Sequence, residues 1–187
     1  NLPFYYVQLA NYMKRREQPE PSAWAELREA QFKTLSVPNT GMIVATDIGD
    51  AGDIHPKNKQ EVGYRLARVA LAKTYGVDIP YSGPLYKSFV KKGSTITVGF
   101  DYSDNLNISE DKKLKGFEIA GSDKVFYWAD AKIEGNRIVV SSPKVKEPVA
   151  VRYNWADNPD GNLTNASGLP ASSFRTDDWE GITFERK

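Results

Sequence analysis

The chain has 187 residues, 40% hydrophobic and 26% charged, with a formal net charge of +1 at pH 7. That length allows one large domain or two small ones, and a charge so near zero argues against a dedicated nucleic-acid binder, which carries a basic excess or stripe. There is no cysteine, so disulfides and thiolate metal sites are excluded, and no apolar run approaches the ~18–20 residues that cross a bilayer.

Taken in chain order, the opening Asn1-Leu2-Pro3-Phe4 lacks the basic start and apolar core of a signal peptide. Phe4 to Ala10 (FYYVQLA) is rich in aromatic and β-branched residues and reads as a buried strand. Pro19 and Pro21 mark a loop, and Ser22 is placed to cap a helix with Glu26 in its first turn. Trp24, Leu27, Gln31, Phe32 and Leu35 recur at helical spacing, predicting an amphipathic helix over 23–36 with those residues inward. Met42 to Thr46 (MIVAT) is a second short apolar run, followed at once by Asp47, Gly49, Asp50, Gly52, Asp53 and His55. A further helix is expected over 58–75, with Asn58 as cap, Glu61 three residues on, Val62, Leu66, Val69 and Ala70 buried, and Gly76 as its stop. Strand, helix, strand, helix favours parallel pairing through right-handed crossovers. Two strands and two helices are too few to cover both faces of a parallel sheet, so residues 1–77 are expected to be the end of a larger α/β domain.

Beyond residue 77 the pattern becomes all-β. Strands are expected at Leu85–Lys92, Thr95–Asp101, Phe117–Ile119, Val125–Trp128, Arg137–Ser141 and Val149–Trp155, separated by Gly-Ser, Gly-Asn and Pro signals. Such spacing suggests an antiparallel β-sandwich over 78–187, with an irregular tail from Asn158. The fold class expected is therefore α/β followed by all-β.

Chemistry concentrates in the loop Asp47–His55. In α/β sheets ligands bind beyond the carboxyl ends of strands, and this loop directly follows one. It holds the chain's single histidine, His55, the side chain best suited to proton transfer near neutrality. A neighbouring carboxylate can fix its tautomer and stabilise the imidazolium. Two other readings stand beside this one. His55 could be an ordinary surface or capping residue, and Asp47, Asp50 and Asp53 could offer oxygen ligands to a hard cation or simply make turns.

The block from Thr46 to Gly63, with Asp53-Ile54-His55-Pro56-Lys57-Asn58-Lys59-Gln60 at its centre, closely resembles the last catalytic block of the sialate O-acetylesterases. These are SGNH-type hydrolases that remove O-acetyl groups from sialic acids and related sugars. Tyr6–Ala10, Trp24–Gln31, Ser82–Tyr86, Gly116–Gly121, Ala150–Tyr153 and Gly168–Asp177 resemble other parts of the same family, so the likeness runs over almost the whole chain. It implies the C-terminal end of an SGNH-type, flavodoxin-like three-layer α/β domain followed by a β-sandwich. It implies His55 as the catalytic base, acting on an O-acetylated sialic acid or related sugar without a cofactor, in a secreted or periplasmic protein. The acid beside it is expected to be Asp53, with Asp50 as the alternative, because the usual family position three residues before the histidine is here Gly52.

The family's Gly-Gln-Ser-Asn nucleophile turn and its oxyanion-hole blocks do not occur in this sequence. The chain is thus expected to be inactive alone and to need the missing N-terminal part of an esterase. The competing expectation is a non-catalytic carbohydrate-binding module or an interaction fragment. In the module reading Tyr127, Trp128, Tyr153, Trp155 and Trp179 offer ring faces, and Arg152 or Arg175 meets a carboxylate. Three formal glycosylation sequons begin at Asn107, Asn162 and Asn165.

Overall fold

The structure, a computed structural model, describes residues 2–109 and 113–184. The two apolar runs of the first half form strands β1 (Phe4–Val7) and β2 (Thr40–Ile43), with helix α1 (Ala23–Lys33) between them and α2 (Lys59–Lys73) after them. The strands pair in parallel, Phe4 opposite Thr40 and Val7 opposite Ile43, as expected from the alternation of elements. Because side chains alternate along a strand, Tyr5 and Val7 join Ile43, Ala45 and Val69 in a cluster under α2. Tyr6 and Gln8 face the other way, where the Tyr6 hydroxyl donates to Gln31 O at 2.6 Å and Gln8 Nε2 to Arg28 O at 3.2 Å. One helix therefore lies on each face. This corrects the expectation of an uncovered face: among the described residues it is the strand edges that lack a neighbour.

Both helix starts form as their sequences dictate. Ser22 accepts from Ala25 N and Asn58 from Glu61 N, each satisfying an amide that has no partner inside the helix. The second stops near Gly76, at φ +69°, a conformation that costs glycine little. The buried face of α1 departs from expectation. Leu27 is 49% exposed, whereas Arg28 is wholly buried. Its guanidinium donates to the carbonyls of Leu9, Ala10, Ala156 and Asp157 at 2.6–2.9 Å. Burial pulls its pKa down to about 9, opposed by the nearby Asp157 charge. Periodicity of apolar residues cannot register a cation buried for its hydrogen bonds.

The second half contains β3 (Leu85–Lys92), β4 (Thr95–Asp101), β5 (Asn107–Ile108), β6 (Phe117–Ala120), β7 (Phe126–Trp128), β8 (Asp130–Glu134), β9 (Arg137–Ser141), β10 (Ala150–Tyr153), β11 (Leu163–Thr164) and β12 (Phe174–Arg175). They form antiparallel sheets ordered β3-β4-β9-β8, β12-β10-β6-β7 and β11-β5. Ile96, Val98 and Phe100 of β4 and Ile138 and Val140 of β9 share one core with Phe117, Ile119, Val151, Tyr153 and Phe174. Strand β8 was not foreseen. It is an edge strand whose outward positions carry Asp130, Lys132 and Glu134, the charged guarding that keeps edges from aggregating and also weakens their strand signature.

The tail from Asn158 is mostly irregular but extensively bonded. Asn162 accepts from Lys115 N and donates to Lys113 O, and Asn165 donates to Ser82 O and Tyr102 O. These two sequon side chains are committed to the fold, whereas Asn107 is exposed. Among the described residues no helix is long and apolar enough to cross a membrane.

Candidate active site

Beyond the end of β2 the buried residues Val44–Thr46 lead into the loop. Arg65 of α2, itself buried, fixes the loop's start by donating to Val44 O at 2.7 Å and to both Asp47 carboxylate oxygens at 2.7 and 2.6 Å. Glu61, one turn earlier on the helix, accepts from Arg65 Nε at 2.8 Å. Burial alone would lower the Arg65 pKa, and the Asp47 and Glu61 carboxylates outweigh it, so the net shift is upward. Sequence reasoning missed Arg65. Its signal was weak: an arginine on the inward side of a helix four residues after a glutamate.

The middle of the loop is fixed from the other side. Gly49 N donates to Asn11 Oδ1 at 2.7 Å, and a Cβ on Gly49 would lie 2.1 Å from that oxygen and 2.3 Å from Asn11 O. Only glycine fits so close a backbone approach. Asn11 Nδ2 donates to Asn158 Oδ1 at 2.8 Å, and Asn158 Nδ2 to Met13 O at 2.6 Å. Met13 N then reaches Ala51 O at 3.1 Å. The loop's position thus depends on a residue more than a hundred positions away.

At the loop's tip, Asp50 and Asp53 face different partners. Asp50 accepts from Gly52 N at 2.9 Å and from Lys57 Nζ at 3.0 Å. The amide bond and then the ammonium hold its pKa below the ordinary carboxylate value, while Lys57 is raised. Asp53 Oδ1 accepts from His55 N at 2.9 Å and lies 3.2 Å from His55 Nδ1. The His55 amide and then its ring hold Asp53 low as well, so it is ionised wherever a histidine changes charge. An acceptor at Nδ1 selects the tautomer protonated there, which leaves Nε2 with its lone pair facing outward. The ring is open to solvent, with 82% of its side-chain surface exposed.

The structure therefore brings Asp53, not Asp50, to His55. It does not gather the three aspartates around a common point: Asp47 is held by Arg65, Asp50 by Lys57 and Asp53 by His55. Among the described residues no group of three or more acidic or histidine side chains is placed to hold a metal. The candidate sugar-reading rings also divide. Tyr153 and Trp155 are buried, and the Tyr153 hydroxyl accepts from Leu163 N. Trp128 is 42% exposed, its indole donating to Glu17 O at 2.8 Å.

No protein-family model matches the chain. Among curated proteins it is similar to the sialate O-acetylesterase of Mus musculus, 32% identical over 174 residues that cover 84% of this chain and 31% of that protein. It is likewise similar to the Homo sapiens sialate O-acetylesterase, 28% identical over 173 residues, 84% of this chain and 32% of the other. A solved structure, that of a carbohydrate acetylesterase from Xanthomonas citri, matches with a TM-score of 0.90 and 47% identity over 95% of this chain and 41% of that one. Fold and sequence together make the chain similar to part of a carbohydrate acetylesterase. By sequence it resembles the sialate O-acetylesterases, and it spans about a third of the length of the curated relatives it matches.

Proposed function

We propose that this chain supplies the histidine half of a carbohydrate O-acetylesterase active site, with His55 as general base and acid and Asp53 as the group that orients it. One observation carries the reading: the His55 Nδ1 to Asp53 Oδ1 contact at 3.2 Å, on a loop beyond a parallel strand, where α/β proteins place their ligands. With Nδ1–H directed at Asp53, Nε2 is free to take the proton of a serine hydroxyl as it attacks an acetyl carbonyl. The imidazolium that forms is stabilised by the Asp53 carboxylate and then protonates the departing sugar oxygen. Proton balance closes over the acyl-enzyme cycle, since His55 next deprotonates the water that releases acetate and returns the proton to serine.

The serine and the oxyanion donors lie, in this proposal, in the part of the esterase beyond the third that this chain represents. The exposed Nε2 face of His55 is the surface they would meet. The finer architecture belongs to the same proposal. Residues 1–77 close an SGNH-type three-layer α/β domain, supported by one helix on each face of the β1–β2 pair, and residues 78–187 form a β-sandwich, supported by the core shared between the two four-stranded sheets. O-Acetylated sialic acid or a related acetylated sugar is the proposed substrate class.

The test is hydrolysis of 4-nitrophenyl acetate by the complete esterase and by the 187-residue chain alone. The complete enzyme should turn over and lose ~10²–10⁴ of its kcat in His55→Ala, the range ascribed to general acid–base catalysis. The chain alone should show no turnover above buffer. Serine-dependent turnover by the chain alone, or an unchanged kcat in His55→Ala, overturns the proposal.

A further inference from the structure

The contact between His55 and Asp53 is local: it joins two residues of one loop and orients the ring against that loop alone. Where the loop stands relative to any other group is decided by bonds from outside it. Arg65 fixes its start, at Val44 O and the Asp47 carboxylate. Past that point the loop is gripped at Gly49 and Ala51, and both grips belong to one circuit of hydrogen bonds. Gly49 N donates to Asn11 Oδ1 at 2.7 Å, Asn11 Nδ2 to Asn158 Oδ1 at 2.8 Å, Asn158 Nδ2 to Met13 O at 2.6 Å, and Met13 N to Ala51 O at 3.1 Å. The circuit leaves the loop at one residue and returns to it two residues later. Its donors all point the same way round, so successive bonds polarise and strengthen one another.

Three features make Asn158 the fixed point of this circuit. It uses both ends of its amide, as acceptor from Asn11 and donor to Met13, and a side chain with only one function cannot close the ring. It is 5% exposed and Asn11 8%, so water has little access to replace either bond. Its neighbours in the chain are anchored independently of the loop. Arg28 donates to Ala156 O and Asp157 O, Tyr12 N donates to Asp157 O, and Ser22 and Arg16 hold the Asp157 carboxylate. The strand-like path of the first half is meanwhile broken at Met13, whose φ of +72° is rare for a residue with a side chain. Such conformations persist where surrounding bonds impose them, and they gather at functional sites.

We infer that Asn158 is a positioning residue of the esterase site. Through Asn11 and Met13 it sets where the loop lies, and so where His55 Nε2 stands against the serine. It acts on the loop and not on the reacting atoms. The inference rests on His55 being the general base, as proposed above. A displacement of about 1 Å in a reacting group can cost ~10² in rate, so loss of the circuit is felt in the chemical step.

The test measures acetyl-ester kcat and KM in the complete esterase for Asn158→Ala, His55→Ala and the double variant, each at equal folded content. Asn158→Ala should lower kcat by about tenfold or more and leave KM within about threefold, since transition-state alignment is lost and substrate binding is not. In the His55→Ala background the same substitution should change kcat by less than about twofold, because the displaced loop no longer carries a base. A purely structural role lowers kcat equally in both backgrounds, and that result overturns the inference. So does a kcat loss below about tenfold in Asn158→Ala alone, or a loss carried by KM. Where Asn158→Ala does not fold, Asn158→Asp, which keeps the acceptor for Asn11 and loses the donor to Met13, is read against the same limits. The two readings fail differently. An unchanged kcat in His55→Ala overturns the role of His55 and this inference with it, whereas a large loss in His55→Ala beside an undiminished Asn158→Ala overturns this inference alone.

Discussion

At the scale of single residues, the loop distinguishes between two carboxylates that the sequence leaves nearly equivalent. Asp50 and Asp53 are both short, exposed and close to His55 in the chain, yet a turn closed by Asp53 N on Asp50 O sends one to Lys57 and the other to the imidazole. Asp53→Asn in the complete esterase should therefore lower kcat by about 10-fold or more, since an amide can accept from Nδ1–H but carries no charge to stabilise imidazolium. Asp50→Asn should leave kcat within about twofold, measured in the same acetate-release assay. Glu118 gives a second residue-scale expectation, read in stability. Its folded-state pKa of about 8 exceeds the ordinary ~4.3 of an unfolded glutamate, so the folded state binds the extra proton. The stability this contributes is fully present below about pH 4, declines as pH rises, and is lost through pH 8. Urea denaturation from pH 5 to 9 should show that decline in the wild type, and Glu118→Gln should flatten it.

At the scale of elements, two arginines decide how helices meet the rest of the molecule. Arg65 ties α2 to the loop, and Arg28 ties α1 to the carbonyls of Ala156 and Asp157 in the second half. Arg28→Met should cost about 3–5 kcal/mol in urea denaturation, because it leaves buried carbonyls unpaired. Leu27→Met on the exposed face should cost less than about 0.5 kcal/mol. The loop has its own dependence on a close approach: Gly49→Ala places a methyl against Asn11 and should destabilise by about 1–3 kcal/mol. Legibility in the sequence follows the same physics. β4 and β9 have the bounds the alternation predicts, because half-buried strands advertise themselves by period, and β3, mostly exposed, has the predicted bounds from its β-forming residues and flanking turns. Helix caps were legible because Ser22 and Asn58 act locally. The inward face of α1 was not, since a buried guanidinium is stabilised by carbonyls distant in sequence.

At the scale of the whole molecule, the two halves are joined by polar bonds between distant segments. Gln8 Nε2 donates to Ser172 Oγ at 2.9 Å, Ser22 Oγ to Asp157 Oδ1 at 2.6 Å, and Arg175 pairs with Glu29. Through Asn11 and Asn158 the second half also supports the loop that carries His55. The importance of His55 was legible only through the resemblance of its block; composition alone leaves a single exposed histidine unremarkable. What the sequence could not convey was the support: Arg65, Asn11 and Asn158 are ordinary residues until the fold brings them to the loop. The most direct measurement of the central claim is the acetyl-ester kcat of the complete esterase in its His55→Ala form, compared with wild type at equal folded content. A fall of ~10²–10⁴ is the result expected, and a kcat within twofold of wild type would contradict the role given to His55.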